Sequence, residues 1–158
     1  MKMLTAITNS ERDTEKLGEI LGRTLKRGSV IGLCGEIGAG KTCMTRGIAR
    51  GTGMETGDSI DSPTFVIVSE HMGRIRLCHV DLYRVESYGE LYDMGMDETL
   101  ESGAVCVVEW ADRFPAIMPE NTVWVDIRVE GKRRRRISIS ARRKKIRVVM
   151  EMAGGVRI

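Results

Sequence analysis

The chain has 158 residues, 42% of them hydrophobic and 30% charged, which is the balance of a folded globular domain rather than of a disordered or fibrous chain. This length suits one hydrophobic core, so we predict a single domain over residues 1–150 and a tail over 151–158. No run approaches the roughly 20 apolar residues that span a bilayer, and no secretory signal is apparent, so we expect a cytoplasmic protein with no membrane contact.

Basic residues are concentrated near the C-terminus, although the net charge is only +3. Residues 132–136 and 142–145 consist entirely of Lys and Arg and predict a basic lobe. Contact with tRNA, with a protein partner or with solvent alone would each suit such runs, and the sequence leaves these alternatives open. The four cysteines have neither zinc-site nor disulfide-framework spacing, so we predict reduced thiols.

The first half of the chain predicts a helix, a strand, a loop and a second helix. Residues 10–28 begin with a helix-capping Ser, carry apolar side chains at helical spacing and end on Gly. The apolar run 29–33 predicts a strand, and residues 41–50 again have helical character. A glycine-rich segment separates this strand from the second helix, which is the order that a phosphate-binding loop requires.

The middle of the chain predicts a hairpin, short helices and a buried strand. Residues 65–69 and 74–80 alternate apolar and polar side chains around a turn, which is typical of a β-hairpin. Residues 88–100 predict short helices broken at Gly95. The continuous apolar run 104–108 predicts a strand that is buried on both faces.

The C-terminal part predicts a second hairpin and one further strand. Residues 123–129 alternate in polarity, turn at Gly131 and return through Ile137 and Ile139. Residues 146–150 are apolar enough to add one more strand before the tail.

Residues 35–42 read GEIGAGKT and match the phosphate-loop pattern G-x-x-x-x-G-K-[ST] in full. Glycines in this loop permit positive φ angles, which bring successive backbone N–H groups close to phosphate oxygens. Lys41 would neutralise the β and γ phosphates, and the Thr42 hydroxyl would bind Mg²⁺. The sequence therefore predicts ATP and Mg²⁺ as cofactors, held by Gly35, Glu36, Ile37, Gly38, Ala39, Gly40, Lys41, Thr42 and Cys43.

Two carboxylates end predicted strands, where ligands bind in open α/β sheets. Glu109 follows the buried apolar run, and Asp81 ends the second arm of the first hairpin. A hydrolytic site needs a carboxylate near the metal and a group that orients the attacking water. Both residues are therefore candidate catalytic groups, and a turn cap or an ion pair with a residue such as Arg84 is the alternative for each.

Four signatures occur in order along the chain. GEIGAGKT is followed by TRG at residues 45–47, and SPTF, HVDLYR and VEW then begin at Ser62, His79 and Val108. With these motifs the sequence resembles the bacterial TsaE family, formerly YjeE, of ATPases for tRNA threonylcarbamoyladenosine biosynthesis. The resemblance covers at least residues 10–140 and implies a P-loop NTPase fold. That fold has three α/β/α layers, a mixed, mostly parallel central sheet and a C-terminal β-hairpin.

The resemblance also implies roles for particular residues. Thr42 and Glu109 would hold Mg²⁺, Asp81 would be needed for hydrolysis, and Lys41 would belong to the same catalytic set. Thr64 would lie in a switch-like loop near the γ phosphate and complete that set.

Two further positions are interpreted through the family. Trp110 would lie beside the bound nucleotide. Cys43 departs from the family, which commonly has Thr there, so a backbone contact to the α phosphate would survive but a hydroxyl contact would be lost.

As a member of this family the protein would hydrolyse ATP while bound to its partners TsaB and TsaD. TsaD would transfer the threonylcarbamoyl group to an adenosine next to the anticodon of tRNA, and hydrolysis would reset the complex between turnovers. We expect slow turnover by the isolated chain.

Other functions use the same phosphate loop or the same basic residues. A small-molecule kinase shares the loop, but nothing between residues 53 and 100 indicates the lid that such a kinase uses. The sequence contains no Asn-Lys-x-Asp guanine motif, which argues against a GTPase. A basic RNA-binding module with a nucleotide switch would rest on the terminal hairpin, where Trp124 alone supports base stacking. The adenine pocket is not located, and residues near Thr8 and the basic hairpin are candidates.

Overall fold

The computed structural model describes residues 1–54, 60–61 and 67–153 of the chain. Its strands are β1 (Lys2–Thr8), β2 (Val30–Cys34), β3 (Val68–His71), β4 (Leu77–Asp81), β5 (Val105–Glu109), β6 (Val123–Val129) and β7 (Arg135–Ala141). Its helices are α1 (Glu11–Arg23), α2 (Lys41–Gly51), α3 (Tyr88–Asp93), α4 (Met96–Glu101) and α5 (Arg143–Ala153), with 3-10 turns at Ala111–Arg113 and Pro115–Ile117. Within the described ranges these strands form one seven-stranded sheet in the order β1-β7-β6-β2-β5-β4-β3.

The centre of the sheet is parallel and its edges are antiparallel. β4, β5, β2 and β6 pair side by side in the same direction. β7 runs antiparallel to both β6 and β1, and β3 runs antiparallel to β4. Among the described strands, all but β3 and β7 therefore share one direction, which confirms the predicted mixed, mostly parallel sheet with a C-terminal hairpin.

Helices cover both faces of the sheet and create two apolar cores. Alternate residues of β5 show the division, because Val105 and Val107 pack in a core that contains apolar residues of α1, α2 and α5. Cys106 and Val108 point to the opposite face and pack with residues of α3 and α4. The predicted three-layer arrangement, with a central strand buried on both faces, is therefore confirmed.

The middle segment follows the sequence prediction closely. β3 and β4 form the first hairpin, with Ser69 opposite His79, although residues 65–66 of its predicted first arm lie outside the described ranges. α3 and α4 are the two short predicted helices, and the break between them is at Gly95, which adopts a positive φ of 70°. Glycine takes this left-handed conformation without the steric cost that other residues have.

The prediction of a strand at residues 146–150 is wrong. These residues lie in α5, which begins at Arg143 and continues to Ala153, beyond the boundary predicted for the tail. Ile146 and Val149 are three positions apart, and on a helix this spacing places both on the same buried face. That face contacts α1, β1 and β7, so packing on neighbouring elements selects the helix.

The sequence prediction also omits β1 at the edge of the sheet. This strand is only partly buried and forms because β7 pairs with it over its whole length, from Lys2 opposite Ala141 to Thr8 opposite Arg135. Its alternation in polarity is weak, so long-range pairing rather than local pattern determines it.

α1 and α2 approach each other so closely that glycines line their contact. Gly18 and Gly22 of α1 face Gly47 and Gly51 of α2. A Cβ added at Gly47 would lie 2.0 Å from the carbonyl oxygen of Glu15, far inside van der Waals contact. This packing fixes the position of α2, the helix that follows the phosphate loop.

We predict that Gly47→Ala lowers the free energy of unfolding by roughly 1–3 kcal/mol, because the new methyl group forces the two helix backbones apart. Urea denaturation followed by circular dichroism measures the change. Gly89→Ala is the matched control, since a Cβ at that helical position meets only the Ser87 hydroxyl oxygen at 3.6 Å. Equal stability of the two variants would contradict the close approach of α1 and α2.

Candidate nucleotide-binding site

The phosphate loop connects β2 to α2 and depends on its glycines. Gly35, Gly38 and Gly40 have positive φ angles of 147°, 75° and 109°. Gly35 is required for a second reason, because a Cβ there would lie 2.6 Å from the carbonyl oxygen of Ile127. The loop therefore curls tightly and ends at the first turn of α2, where unpaired backbone N–H groups and the helix dipole favour an anion.

Lys41, the first residue of α2, holds its ammonium group inside the loop. Its Nζ donates hydrogen bonds to the carbonyl oxygens of Gly35 at 2.6 Å and Glu36 at 2.9 Å. The same Nζ lies 3.7 Å from the ring centroid of Trp110, a cation–π contact. Burial lowers the pKa of Lys41, and the nearby carboxylate of Glu109 opposes that shift.

Glu109 ends β5 with its carboxylate buried against α2 and β4. Its Oε2 accepts a hydrogen bond from the Thr42 hydroxyl at 3.3 Å. Its Oε1 lies 3.1 Å from the Thr45 hydroxyl and 2.8 Å from Nε2 of His79. A carboxylate only accepts hydrogen bonds, so this arrangement requires the His79 tautomer that carries its hydrogen on Nε2.

Asp81 ends β4, directly beside Glu109 in the parallel register of β4 and β5. One of its carboxylate oxygens, Oδ1, accepts a hydrogen bond from the backbone N–H of Tyr83 at 2.9 Å. The structure thus brings the two predicted carboxylates to the same edge of the sheet, as expected for adjacent parallel strands.

Trp110 follows Glu109 in an unusual backbone conformation. Its φ is 61°, and no other non-glycine residue in the described ranges has a positive φ. This left-handed conformation costs roughly 1–2 kcal/mol for an L-residue and tends to occur at functional sites. It places the indole over Lys41 and 5.0 Å from the Tyr83 ring, centroid to centroid.

These groups line an open cleft of about 630 Å³, called the phosphate cleft below. A second cleft of about 480 Å³ lies on the other side of the phosphate loop and shares Glu11, Gly38, Gly40 and Cys43 with the first. The start of α1 and the basic turn between β6 and β7 form its walls, with Ser10, Glu11, Arg12, Thr14, Lys132, Arg133 and Arg135. Phosphate loop, carboxylates and basic turn thus belong to one continuous surface.

Arg135 connects the basic turn to the phosphate loop. Its guanidinium donates to the carbonyl oxygen of Ala39 at 3.0 Å and to that of Gly131 at 2.9 Å. One side chain therefore bridges backbone groups that are far apart in sequence. Nothing in the local pattern distinguishes Arg135 from its basic neighbours, so sequence reasoning did not single it out.

The predicted basic lobe is divided by the fold. Residues 132–136 lie beside the phosphate loop, whereas 142–145 follow the other end of β7. Lys145 Nζ lies 3.5 Å from the hydroxyl of Ser29, which precedes β2 at the opposite end from the loop. Burial and the neighbouring Lys26 lower the pKa of Lys145. The two runs are therefore separate surfaces.

Cys43, the departure from the family pattern, points toward α1. Its thiol lies 3.2 Å from the carbonyl oxygen of Glu11, and burial raises its pKa to about 11. All four cysteines are free. Thr8 is fully buried, with its hydroxyl 2.8 Å from that of Thr14.

The donor set beneath the loop fits Mg²⁺. The described residues contain no group of three or more His, Cys, Asp or Glu side chains that could hold a metal. Mg²⁺ needs no such cage, because it keeps several waters and binds through one or two carboxylates together with substrate phosphates. Thr42 and Glu109, whose oxygens lie 3.3 Å apart, would provide the hydroxyl and the carboxylate of such a site.

Sequence reasoning missed part of this site. His79 was only weakly indicated by its place in HVDLYR, and Thr45 by its place in TRG. The signal available for Thr45 was its spacing of three residues from Thr42, which places both on one helix face. Thr64 lies outside the described residues. No helix in the described part of the chain is long and apolar enough to cross a membrane.

A central parallel sheet, a glycine loop after β2 and a lysine at the start of α2 together define a P-loop fold, the class of many nucleotide-binding proteins. Comparison with known proteins agrees. The family model described as "Threonylcarbamoyl adenosine biosynthesis protein TsaE" matches residues 8–137. The crystal structure of YdiB from Bacillus subtilis superposes with a TM-score of 0.77 at 29% identity and covers 98% of this chain and 96% of that one.

Curated relatives carry the same family name. The "tRNA threonylcarbamoyladenosine biosynthesis protein TsaE" of Treponema pallidum is 37% identical over 87% of this chain and 100% of its own length. The protein of that name from Bacillus subtilis is 35% identical over 89% of this chain and 87% of its own. The chain therefore belongs to the TsaE family of tRNA threonylcarbamoyladenosine biosynthesis.

We predict that Arg135→Ala loosens the phosphate loop. Loss of a hydrogen bond worth about 1 kcal/mol should speed local opening roughly fivefold, measured as faster amide hydrogen exchange in peptides that contain residues 36–40. Arg134→Ala is the control, because Arg134 pairs with Glu130 within its own turn. Unchanged exchange in Arg135→Ala would show that the bridge does not restrain the loop.

Proposed function

We propose that the chain binds ATP with Mg²⁺ and hydrolyses it, as the nucleotide-dependent component of tRNA threonylcarbamoyladenosine biosynthesis. The observation that carries the proposal is the convergence of Thr42 and Glu109, 3.3 Å apart, beneath a complete phosphate loop. A hydroxyl on α2 and a carboxylate at the end of a neighbouring strand are the protein ligands that P-loop NTPases use for Mg²⁺.

Each residue of the site has a distinct task in this proposal. Loop N–H groups bind the phosphate oxygens, and Lys41 neutralises the β and γ phosphates. Thr42 and Glu109 would hold Mg²⁺, which would supply positive charge next to the phosphates. Asp81 orients the attacking water, because its carboxylate lines the same cleft from the strand next to Glu109. Trp110 covers Lys41 and limits access of bulk water to the phosphates.

The nucleoside would occupy the second cleft. This cleft begins at the phosphate loop and leads away from Glu109 toward the start of α1 and the basic turn. Lys132 and Arg133 would face the ribose and α phosphate there. The sequence indicates residues near Thr8 for this pocket. Thr8 itself is buried and its hydroxyl contacts that of Thr14, so the residues that follow it are better placed.

TsaB and TsaD would be the protein partners, and nucleotide state would control their binding. Aromatic and basic side chains lie on the rim of the phosphate cleft, and Tyr83 is 51% exposed there. A protein docked over this rim would sense whether the γ phosphate is present, in the manner of other nucleotide switches.

We predict slow Mg-ATP hydrolysis by the isolated chain and an increase of roughly tenfold or more when TsaB and TsaD of the same organism are added, a typical coupling between sites. Steady-state phosphate release measures both rates. Lys41→Ala provides the blank, since it removes the phosphate-binding cation. If the hydrolysis rate does not change when the partners are added, the ATPase proposal stands but the partner assignment is wrong. A screen for phosphate transfer to hydroxyl acceptors would then test whether the protein is a kinase.

We predict that Glu109→Gln and Asp81→Asn each lower kcat by roughly 100-fold, the scale expected when a metal carboxylate or a water-orienting group is lost. Binding of ADP without Mg²⁺, measured by calorimetry, should stay close to that of the unmodified chain, because neither carboxylate touches the loop amides. Glu120→Gln, a change at an exposed carboxylate, is the control. Full activity of Glu109→Gln would refute its role as the metal carboxylate.

A further inference from the structure

The two oxygens of the Glu109 carboxylate have different surroundings. Oε2 faces Thr42 at the floor of the phosphate cleft. Oε1 faces the interior, where the hydroxyl of Thr45 and Nε2 of His79 lie at 3.1 and 2.8 Å. The carboxylate therefore has one oxygen on the ligand side and one on the protein side.

The two neighbours of Oε1 are completely buried and come from different elements. Thr45 on α2 and His79 on β4 are both 0% exposed. Thr45 also lies 3.0 Å from the carbonyl oxygen of Lys41, but its one hydroxyl hydrogen is attracted more strongly by the charged carboxylate. Two separate elements thus direct donors at a single oxygen atom.

The other ring nitrogen of His79, Nδ1, indicates that the contact between Nε2 and Glu109 is the reason for a histidine at this position. Nδ1 is buried and has no hydrogen-bond partner among the described residues. A buried polar group without a partner is unfavourable, so an apolar side chain would suit this core position better if packing were the only requirement. The Nε2 contact with Glu109 is the feature that an apolar residue could not replace.

We propose that Thr45 and His79 are positioning residues that fix Oε1 of Glu109 and so reserve Oε2 for Mg²⁺ beside Thr42. This inference rests on the proposed function, and it identifies the residues that orient the carboxylate of the metal site. Without these donors the carboxylate can rotate about its terminal bond, and its negative charge lies in an interior that no longer balances it. Both effects weaken the metal site while the phosphate loop stays intact.

The experiment compares two matched pairs of variants. Thr45→Val keeps the shape of the side chain and removes the hydroxyl, whereas Thr45→Ser retains it. His79→Leu removes the donor, whereas His79→Gln retains an N–H at nearly the same place. For each variant we would measure the Mg²⁺ dependence of ADP binding by calorimetry, ADP binding in EDTA, thermal unfolding, and the Mg²⁺ concentration that half-saturates ATP hydrolysis.

We expect Thr45→Val and His79→Leu to raise the half-saturating Mg²⁺ concentration roughly tenfold, the scale seen when groups that orient metal ligands are removed. ADP binding in EDTA should change less than about twofold, since the loop amides and Lys41 are untouched. Thr45→Ser and His79→Gln should remain close to the unmodified chain. A merely structural role would lower thermal stability without this selective loss of Mg²⁺.

Two results would overturn the inference. One is a normal Mg²⁺ dependence in both Thr45→Val and His79→Leu, and the other is an equal shift in the donor-retaining variants. If His79→Leu fails to fold, the Thr45 pair decides alone. Failure of the proposed function is seen separately, because ADP binding by the unmodified chain would then not respond to Mg²⁺, and the inference would fall with it.

Discussion

The buried charge of Glu109 is the constraint on which the site depends. The residue is only 2% exposed, and a carboxylate at that depth requires donors on every side. Those donors come from α2 and β4, while Glu109 itself ends β5. One side chain therefore links the helix after the phosphate loop to two central strands, and Asp81 ends the strand beside it.

The second constraint is the close contact of α1 and α2. Gly18, Gly22, Gly47 and Gly51 let the two backbones approach closely, and Glu15 of α1 pairs with Arg46 and Arg50 of α2 at 3.0 and 2.7 Å. Helix α2, held in place by these contacts, presents Thr42 and Thr45 on one face, one turn apart, toward Glu109. The glycines between α1 and α2 thus help to set the position of Thr42, the hydroxyl proposed to bind Mg²⁺.

The sequence pattern predicted those parts of the protein whose conformation depends on residues close together in the chain. The phosphate loop has its own backbone requirement for glycine, and Glu109 directly follows a run of apolar residues that is typical of a strand buried on both faces. β1 and α5 were not predicted because each depends on elements that are distant in sequence. β1 forms by pairing with β7, and α5 forms by packing on α1, β1 and β7. Arg135 escaped prediction for the same reason, since its partner Ala39 is 96 residues away in sequence. His79, whose partner Glu109 is 30 residues away, was indicated only by its place in HVDLYR.

The separation of the two basic runs limits what each can bind. Five residues of β7, 137–141, lie between the first run (132–136) and the run that begins at Arg142, a distance of roughly 20 Å from Arg136 to Arg142 along an extended strand. A nucleotide on the phosphate loop can contact only the first run, which shares the second cleft with the loop and is joined to it through Arg135. A ligand that contacts both runs must extend across the whole sheet, as a protein or an RNA does. In the proposed function the first run would therefore be the one that contacts the nucleotide, and the second run would remain open to a macromolecular partner.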